Sequence, residues 1–135
     1  MAGENACVPT IVVSAVALVR DRSVLSVRKR GTSRFMLVGG KPEPGETPLE
    51  AAVRETREET SLELSDIVLL GEFESEAANE PGHLLHSTVY TAEFVGEPVV
   101  AAEIEELRWT SFDETYPDLA PMLEFNVLPL LRDRA

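Results

Sequence analysis

Thr47, Pro48 and Glu50 mark the start of a helix, and that start divides the chain into two stretches of strand. Thr47 is a good N-cap, Pro48 suits the first helical position, and Glu50 completes a capping box. The helix is predicted to run to about Thr60. Before it, Ile11 to Val19 is rich in β-branched residues and reads as a largely buried strand. Asp21-Arg22-Ser23 reads as a turn and Val24 to Lys29 as a second strand, giving a hairpin. Phe35 to Val38 is a short strand ending in Gly39-Gly40, and Lys41 to Glu46, with two prolines and a glycine, is a loop.

After the helix come a strand from Ile67 to Ser75, a loop from Ala77 to Gly82, a long strand from Leu84 to Val95 and a short one from Leu107 to Ser111. Leu119 to Arg132 has helical spacing in Leu119, Met122, Leu123, Val127, Leu130 and Leu131, with a kink or break expected at Pro129. The order strands, helix, strands, helix lacks strict alternation. It disfavours a doubly wound parallel sheet and favours an α+β fold with a mixed sheet and helices packed on it. No repeat, low-complexity segment or linker interrupts the 135 residues, so one domain spanning 1–135 is expected.

At about 100° per residue, with Glu55 as zero, Glu58 falls at about −60° and Glu59 at about +40°. Leu49, Ala52, Val53, Thr56 and Thr60 cluster at about +115°, the expected core side. Glu50, Arg54 and Arg57 are expected to meet solvent. Three carboxylates therefore flank the buried stripe. Like charges three and four residues apart repel by a few tenths of a kcal/mol per pair. Arg54 offsets part of this by reaching Glu50 and Glu58, each four residues away. A hard divalent cation would offset it better.

Charge bears on the partner. With 24 acidic and 12 basic residues the formal charge is −12, which argues against nucleic-acid polymers and anionic membranes as partners. An anionic substrate then needs a cation between it and the protein, and carboxylates are natural ligands for one. The alternative is a merely solubilising surface. One cysteine, Cys7, excludes an internal disulfide and fits a reducing compartment. Val8 to Val19 could pass for a secretory segment, but Glu4 and the absence of Lys or Arg before it favour a strand, so the cytoplasm is expected. No run reaches the roughly 18 apolar residues of a membrane helix.

Gly40 to Leu62 reads GKPEPGETPLEAAVRETREETSL. It resembles the Nudix box: G, five residues, E, seven residues, then R-E-U-x-E-E-x-G-U, with U aliphatic. The matching residues are Gly40, Glu46, Arg54, Glu55, Glu58, Glu59 and Leu62, so all five charges stand at the right spacing. Thr56 replaces an aliphatic residue, Ser61 replaces the second glycine, and Val38 stands where many relatives have proline. The resemblance implies a Nudix-type α/β/α sandwich with a central mixed sheet. It also implies hydrolysis of a nucleoside diphosphate linked to another group.

It further implies that Glu58 and Glu59 are the principal Mg²⁺ or Mn²⁺ ligands, with Glu55 a further ligand or the general base. Arg54 would orient these acids, Glu46 would pin the loop to the helix, and the carbonyl of Gly39 or Gly40 would bind metal. MutT-type relatives place another metal-binding glutamate before the tryptophan corresponding to Trp109, which favours Glu103 over Glu105 and Glu106. An asparagine that reads oxidised guanine in MutT-type enzymes would correspond to Asn126. Arg28 or Lys29, at the end of the second strand, is placed to hold a substrate phosphate, and Phe35 to stack on a base or pack in the core. His83 and His86, three apart on a strand, face opposite ways and make no joint metal site. Trp109 and Tyr116 read as packing residues.

Three functions compete. The first is a pyrophosphohydrolase of nucleoside triphosphates, damaged ones such as 8-oxo-dGTP included, releasing monophosphate and pyrophosphate. The second is a Nudix enzyme for ADP-ribose, a nucleotide sugar or a dinucleoside polyphosphate. The proline common in ADP-ribose relatives about 16 residues past the box is replaced here by Ala77. The third is an inactive binding module, which would be expected to lose Glu55, Glu58 or Glu59. The enzyme would act as a monomer or homodimer.

Overall fold

The structure, a computed structural model, describes residues 8–134. Cys7 lies outside the described residues. The elements are β1 (Thr10–Ala17), β2 (Val19–Arg20), β3 (Ser23–Lys29), β4 (Met36–Gly40), α1 (Pro48–Thr60), β5 (Leu64–Glu76), β6 (Leu84–Phe94), β7 (Ile104–Ser111), a π-helical segment (Met122–Val127) and α2 (Leu128–Arg134). The strands form one sheet in the order β2-β3-β4-β1-β6-β5, with β7 paired to β3. β1 runs antiparallel to β4 and parallel to β6, so the sheet is mixed.

The apolar run of β1 is explained by its two buried faces. Val16 and Leu18 enter a core with Leu25, Val27, Val38, Ala52, Leu62 and Ile104, on the α1 side. Ala15 and Ala17 enter a second core with Leu37, Val89, Phe112, Met122, Leu123, Val127, Leu128 and Leu131, on the side of the C-terminal helices. Helix, sheet and helix thus stack in three layers, as expected of an α+β fold with a mixed sheet.

Several boundaries differ from the sequence reading. β5 begins at Leu64, three residues early, and carries register shifts between Ser65 and Val68 and between Leu69 and Gly71. Those bulges break the period-two pattern by which a strand is recognised. β7 begins at Ile104, three residues before the expected start at Leu107, because Lys29 pairs with Ile104 and Arg28 with Glu106. Phe35 falls outside β4 and instead bridges to Leu119. The kink or break expected at Pro129 takes the form of a widened turn just before it, in which the Leu128 N–H reaches the Leu123 carbonyl while the helical backbone runs on. Pro129 thus lies inside a continuous helical run, where the widened turn just before it accommodates a residue with no N–H to donate. Among the described residues no helix is long and apolar enough to cross a membrane.

Candidate active site

Both ends of α1 are fixed by its own sequence. The Glu50 N–H donates to Thr47 Oγ1 at 3.1 Å, and the Thr47 N–H donates to Glu50 Oε1 at 2.9 Å. Ser61 closes the helix in the left-handed region (φ 63°), its N–H bonded to the Arg57 carbonyl at 2.9 Å. Glu50 is thereby committed to capping, and the expected Glu50–Arg54 pair is not formed. The buried face comprises Ala51, Ala52, Thr56, Glu59 and Thr60, while Leu49 is 42% exposed. The helix is thus rolled toward its acids, because Ala51 and Ala52 allow close approach to the sheet. Glu59, expected beside the buried stripe, lies within it at 1% exposure. Thr56 and Thr60 tolerate burial by donating their hydroxyls to the Ala52 and Thr56 carbonyls at 2.8 and 2.7 Å.

The Gly39-Gly40 pair ends β4 against this helix. A side chain at Gly39 would strike the Ser14 carbonyl and Ala15 Cα, and a Cβ at Gly40 would lie 2.5 Å from Glu55 Oε2. Only glycines let strand and carboxylate come this close. The Gly39 N–H donates to Glu59 Oε1 at 3.2 Å. Glu59 Oε2 is buried and has no hydrogen-bond partner among the described residues. It faces Lys29 Nζ at 3.5 Å.

That ammonium also donates to the Gly39 carbonyl at 3.3 Å and lies 3.3 Å from Glu103 Oε1. Burial pushes the Glu59 carboxyl up to about 7, with Lys29 pulling it down and Glu55 raising it further. Burial pulls the Lys29 ammonium down, but Glu59 and Glu103 outweigh it and hold it above its ordinary value.

Arg54 gathers the rest of the acids. Its Nε and Nη2 donate to the two oxygens of Glu46 at 2.7 and 2.9 Å, and Nη1 donates to Glu55 and Glu58 at 3.1 Å each. Nη2 also reaches the Lys41 carbonyl at 3.2 Å. Two donors thus bind the loop and one the helix. The Arg54 guanidinium, helped by the Glu43 N–H, holds the Glu46 carboxyl down at about 2.

A cavity of about 500 Å³ opens beside these groups. Lys29, Gly39, Gly40, Lys41, Glu55 and Glu103 line one part; Ile11, Val13, Leu85 and Met122 line an apolar part; Ala77, Ala78, Asn79 and Glu80 belong to the loop after β5. The apolar residues were not singled out in the sequence because their spacing is that of any core strand or helix.

Other sequence candidates lie elsewhere. Arg28 is spent on Glu106, at 3.0 and 2.8 Å, and on the Thr32 carbonyl at 2.9 Å, and does not line the cavity. Phe35 is 4% exposed, with the Arg108 guanidinium 3.8 Å from its ring centroid, so its face is already stacked. Asn126 is half-buried in the π-helical segment and outside the cavity lining. Glu58 is exposed on Arg54. His86 pairs with Glu72 at 3.0 Å, and His83 contacts the Pro81 carbonyl.

Among the described residues no three acidic, histidine or cysteine side chains close on one point as a ligand set. The donors converge instead on the Lys29 ammonium: one carbonyl and two carboxylates, all hard oxygens. A hard divalent cation fits that donor chemistry, and the unpartnered oxygen of Glu59 fits it as well.

A NUDIX domain model matches residues 9–131. A bis(5'-nucleosyl)-tetraphosphatase (asymmetrical) from Rattus norvegicus is 33% identical over 79 residues, covering 56% of this chain and 54% of that protein. An ADP-ribose pyrophosphatase from Methanocaldococcus jannaschii is 32% identical over 98 residues, covering 70% and 57%. The chain spans about half the length of the curated relatives it matches. The crystal structure of a MutT NUDIX hydrolase from Burkholderia pseudomallei superposes with a TM-score of 0.75 at 26% identity, covering 93% of this chain and 98% of that one.

Proposed function

The chain belongs to the Nudix family, and on that premise we propose that it hydrolyses the pyrophosphate bond of a nucleoside triphosphate, oxidised ones included, giving the monophosphate and pyrophosphate. The observation that carries this reading is the convergence of the Gly39 carbonyl, Glu59 and Glu103 on one cationic position at the edge of the cavity. Glu55, Glu58, Glu59, Glu103 and the carbonyls of Gly39 and Gly40 would hold Mg²⁺ or Mn²⁺. When bound, the metal neutralises phosphate charge and makes water a better nucleophile at neutral pH.

The chain's own groups supply the rest. Glu55 lines the cavity, so it is the carboxylate placed to take the proton from attacking water. Arg54 fixes Glu55 relative to the loop through Glu46. Lys29 and Lys41 are the cationic side chains along the cavity and suit phosphate oxygens. Ile11, Val13, Leu85 and Met122 give one apolar surface, suited to a single base. That favours one nucleoside over two, and hence a mononucleotide over a dinucleoside polyphosphate. Ala77, in the place of the proline common in ADP-ribose relatives, favours it over ADP-ribose. The reaction would take place in the cytoplasm, on a small substrate, with the protein a monomer or homodimer.

A screen of nucleoside triphosphates, 8-oxo-dGTP, ADP-ribose and diadenosine tetraphosphate in Mg²⁺ or Mn²⁺ tests the reading. Phosphate and pyrophosphate are counted separately. Pyrophosphate release from a triphosphate is expected. Cleavage of ADP-ribose or the dinucleotide alone would transfer the assignment to those substrates, and no cleavage at all would make the chain a binding module.

A further inference from the structure

Lys29 occupies an unusual place for a basic side chain at the edge of a cavity of about 500 Å³. Its ammonium is not extended toward the open space. It is drawn back onto the Gly39 carbonyl at 3.3 Å, Glu103 Oε1 at 3.3 Å and Glu59 Oε2 at 3.5 Å. Glu59 Oε2 has no hydrogen-bond partner among the described residues, so Lys29 is its nearest compensation. An unpaired buried carboxylate is strongly unfavourable, and a lysine is a compact charge on a flexible stem that can supply the compensation and be withdrawn.

These are the same oxygens that the proposed function assigns to the metal. We propose that Lys29 is an exchangeable place-holder: its ammonium occupies the metal position in the metal-free protein, competes with the divalent cation for it, and is released into the cavity when the cation binds. This rests on the metal site proposed above. The exchange makes and breaks no covalent bond. It replaces one ammonium with a cation carrying one more positive charge, and leaves the displaced ammonium where a substrate phosphate can meet it. Metal binding would thereby create a phosphate contact that the metal-free protein lacks.

The chain has only two lysines, and the second, Lys41, is exposed and also lines the cavity. It is therefore an internal reference. The wild-type protein, without nucleotide, is acylated briefly with acetic anhydride at increasing Mn²⁺, and the modified fraction at each lysine is read by mass spectrometry. Bound Mn²⁺ is counted in parallel by electron paramagnetic resonance. Lys29 labelling is expected to rise at least fivefold at Mn²⁺ saturation while Lys41 labelling changes less than twofold. In Lys29→Met, Mn²⁺ is expected to bind at least tenfold more tightly than in wild type, and in Lys41→Met less than threefold more tightly.

Bound Mn²⁺ with Lys29 labelling unchanged or reduced overturns the place-holder and leaves the metal site standing. Equal gains in the two methionine variants also overturn it, because removal of any nearby positive charge would then suffice. No Mn²⁺ binding by folded wild-type protein overturns both readings. If Lys29→Met does not fold, the wild-type labelling decides alone.

Discussion

Arg54 and Glu46 face each other through two parallel hydrogen bonds, at 2.7 and 2.9 Å, across the junction between the 41–46 loop and α1. A bidentate guanidinium–carboxylate pair fixes direction as well as distance. Arg54 has a third nitrogen on Glu55 and Glu58, so the pair sets where those acids stand. Glu46→Gln is expected to lower kcat/KM by about 10–100-fold, in the range seen when residues that orient metal ligands are changed. Circular dichroism should show an unchanged fold. An activity within twofold of wild type would remove Glu46 from any positioning role.

Glu59→Gln should abolish most turnover, by on the order of 10²–10³-fold, if several kcal/mol of charge stabilisation depend on its carboxylate. Steady-state hydrolysis in saturating Mg²⁺, with the fold checked by circular dichroism, decides this.

The same residue gives a pH dependence of stability. Burial raises the folded carboxyl from 4.5 to about 7, so between those values the folded state binds more protons than the unfolded one. The contribution is full below about 4.5 and is lost as pH rises through about 7. Urea unfolding in a chelator should therefore show wild type losing stability relative to Glu59→Gln across that window. A difference that is flat with pH would refute the burial argument.

Gly39 and Gly40 should respond differently to alanine. At Gly39 the added Cβ meets backbone of β1, which cannot move aside, and a loss of about 1–3 kcal/mol or more is expected. At Gly40 it meets the end of the Glu55 side chain, which can shift. Gly40→Ala should therefore cost less stability and more kcat. Denaturant midpoints and kcat measured on both variants test the contrast.

Ser61 holds a left-handed conformation that glycine adopts without steric strain. Ser61→Gly should raise stability by about 1 kcal/mol and leave kcat unaltered. A thermal melt and one activity assay are sufficient.

Local rules made α1 legible: the Thr47 cap, the Glu50 return bond and the left-handed Ser61 each depend on residues within one turn. What escaped the sequence depended on packing. Leu49, expected in the buried stripe, is exposed while Ala51 is buried, because the helix is rolled on its alanines, and no periodicity reveals that roll. Arg28 and Lys29 are adjacent and equally basic, yet one is spent on Glu106 and the other reaches Glu59 and Glu103. Consecutive residues on β3 point to opposite faces of the sheet, and the ladder with β7 also shifts register between these two, so their fates separate. Ile11, Val13, Leu85 and Met122 look like core in any pattern, because an apolar cavity wall and a core obey the same chemistry. The roles of Glu58 and Asn126 rest on resemblance, and neither residue lines the cavity.

The sheet joins distant parts of the chain: β1 pairs residue 10 with residue 84, and β3 pairs residue 23 with residue 111. Such non-local pairing slows folding, because long loops must close before their contacts form. Glu103 precedes β7 and reaches Lys29 only through that last ladder. During synthesis the box can become helical early, but the five-oxygen neighbourhood of Gly39, Glu59 and Glu103 has no shape until β7 has left the ribosome. The proposed metal site would thus be assembled only when that ladder closes, well after the helix that carries Glu59.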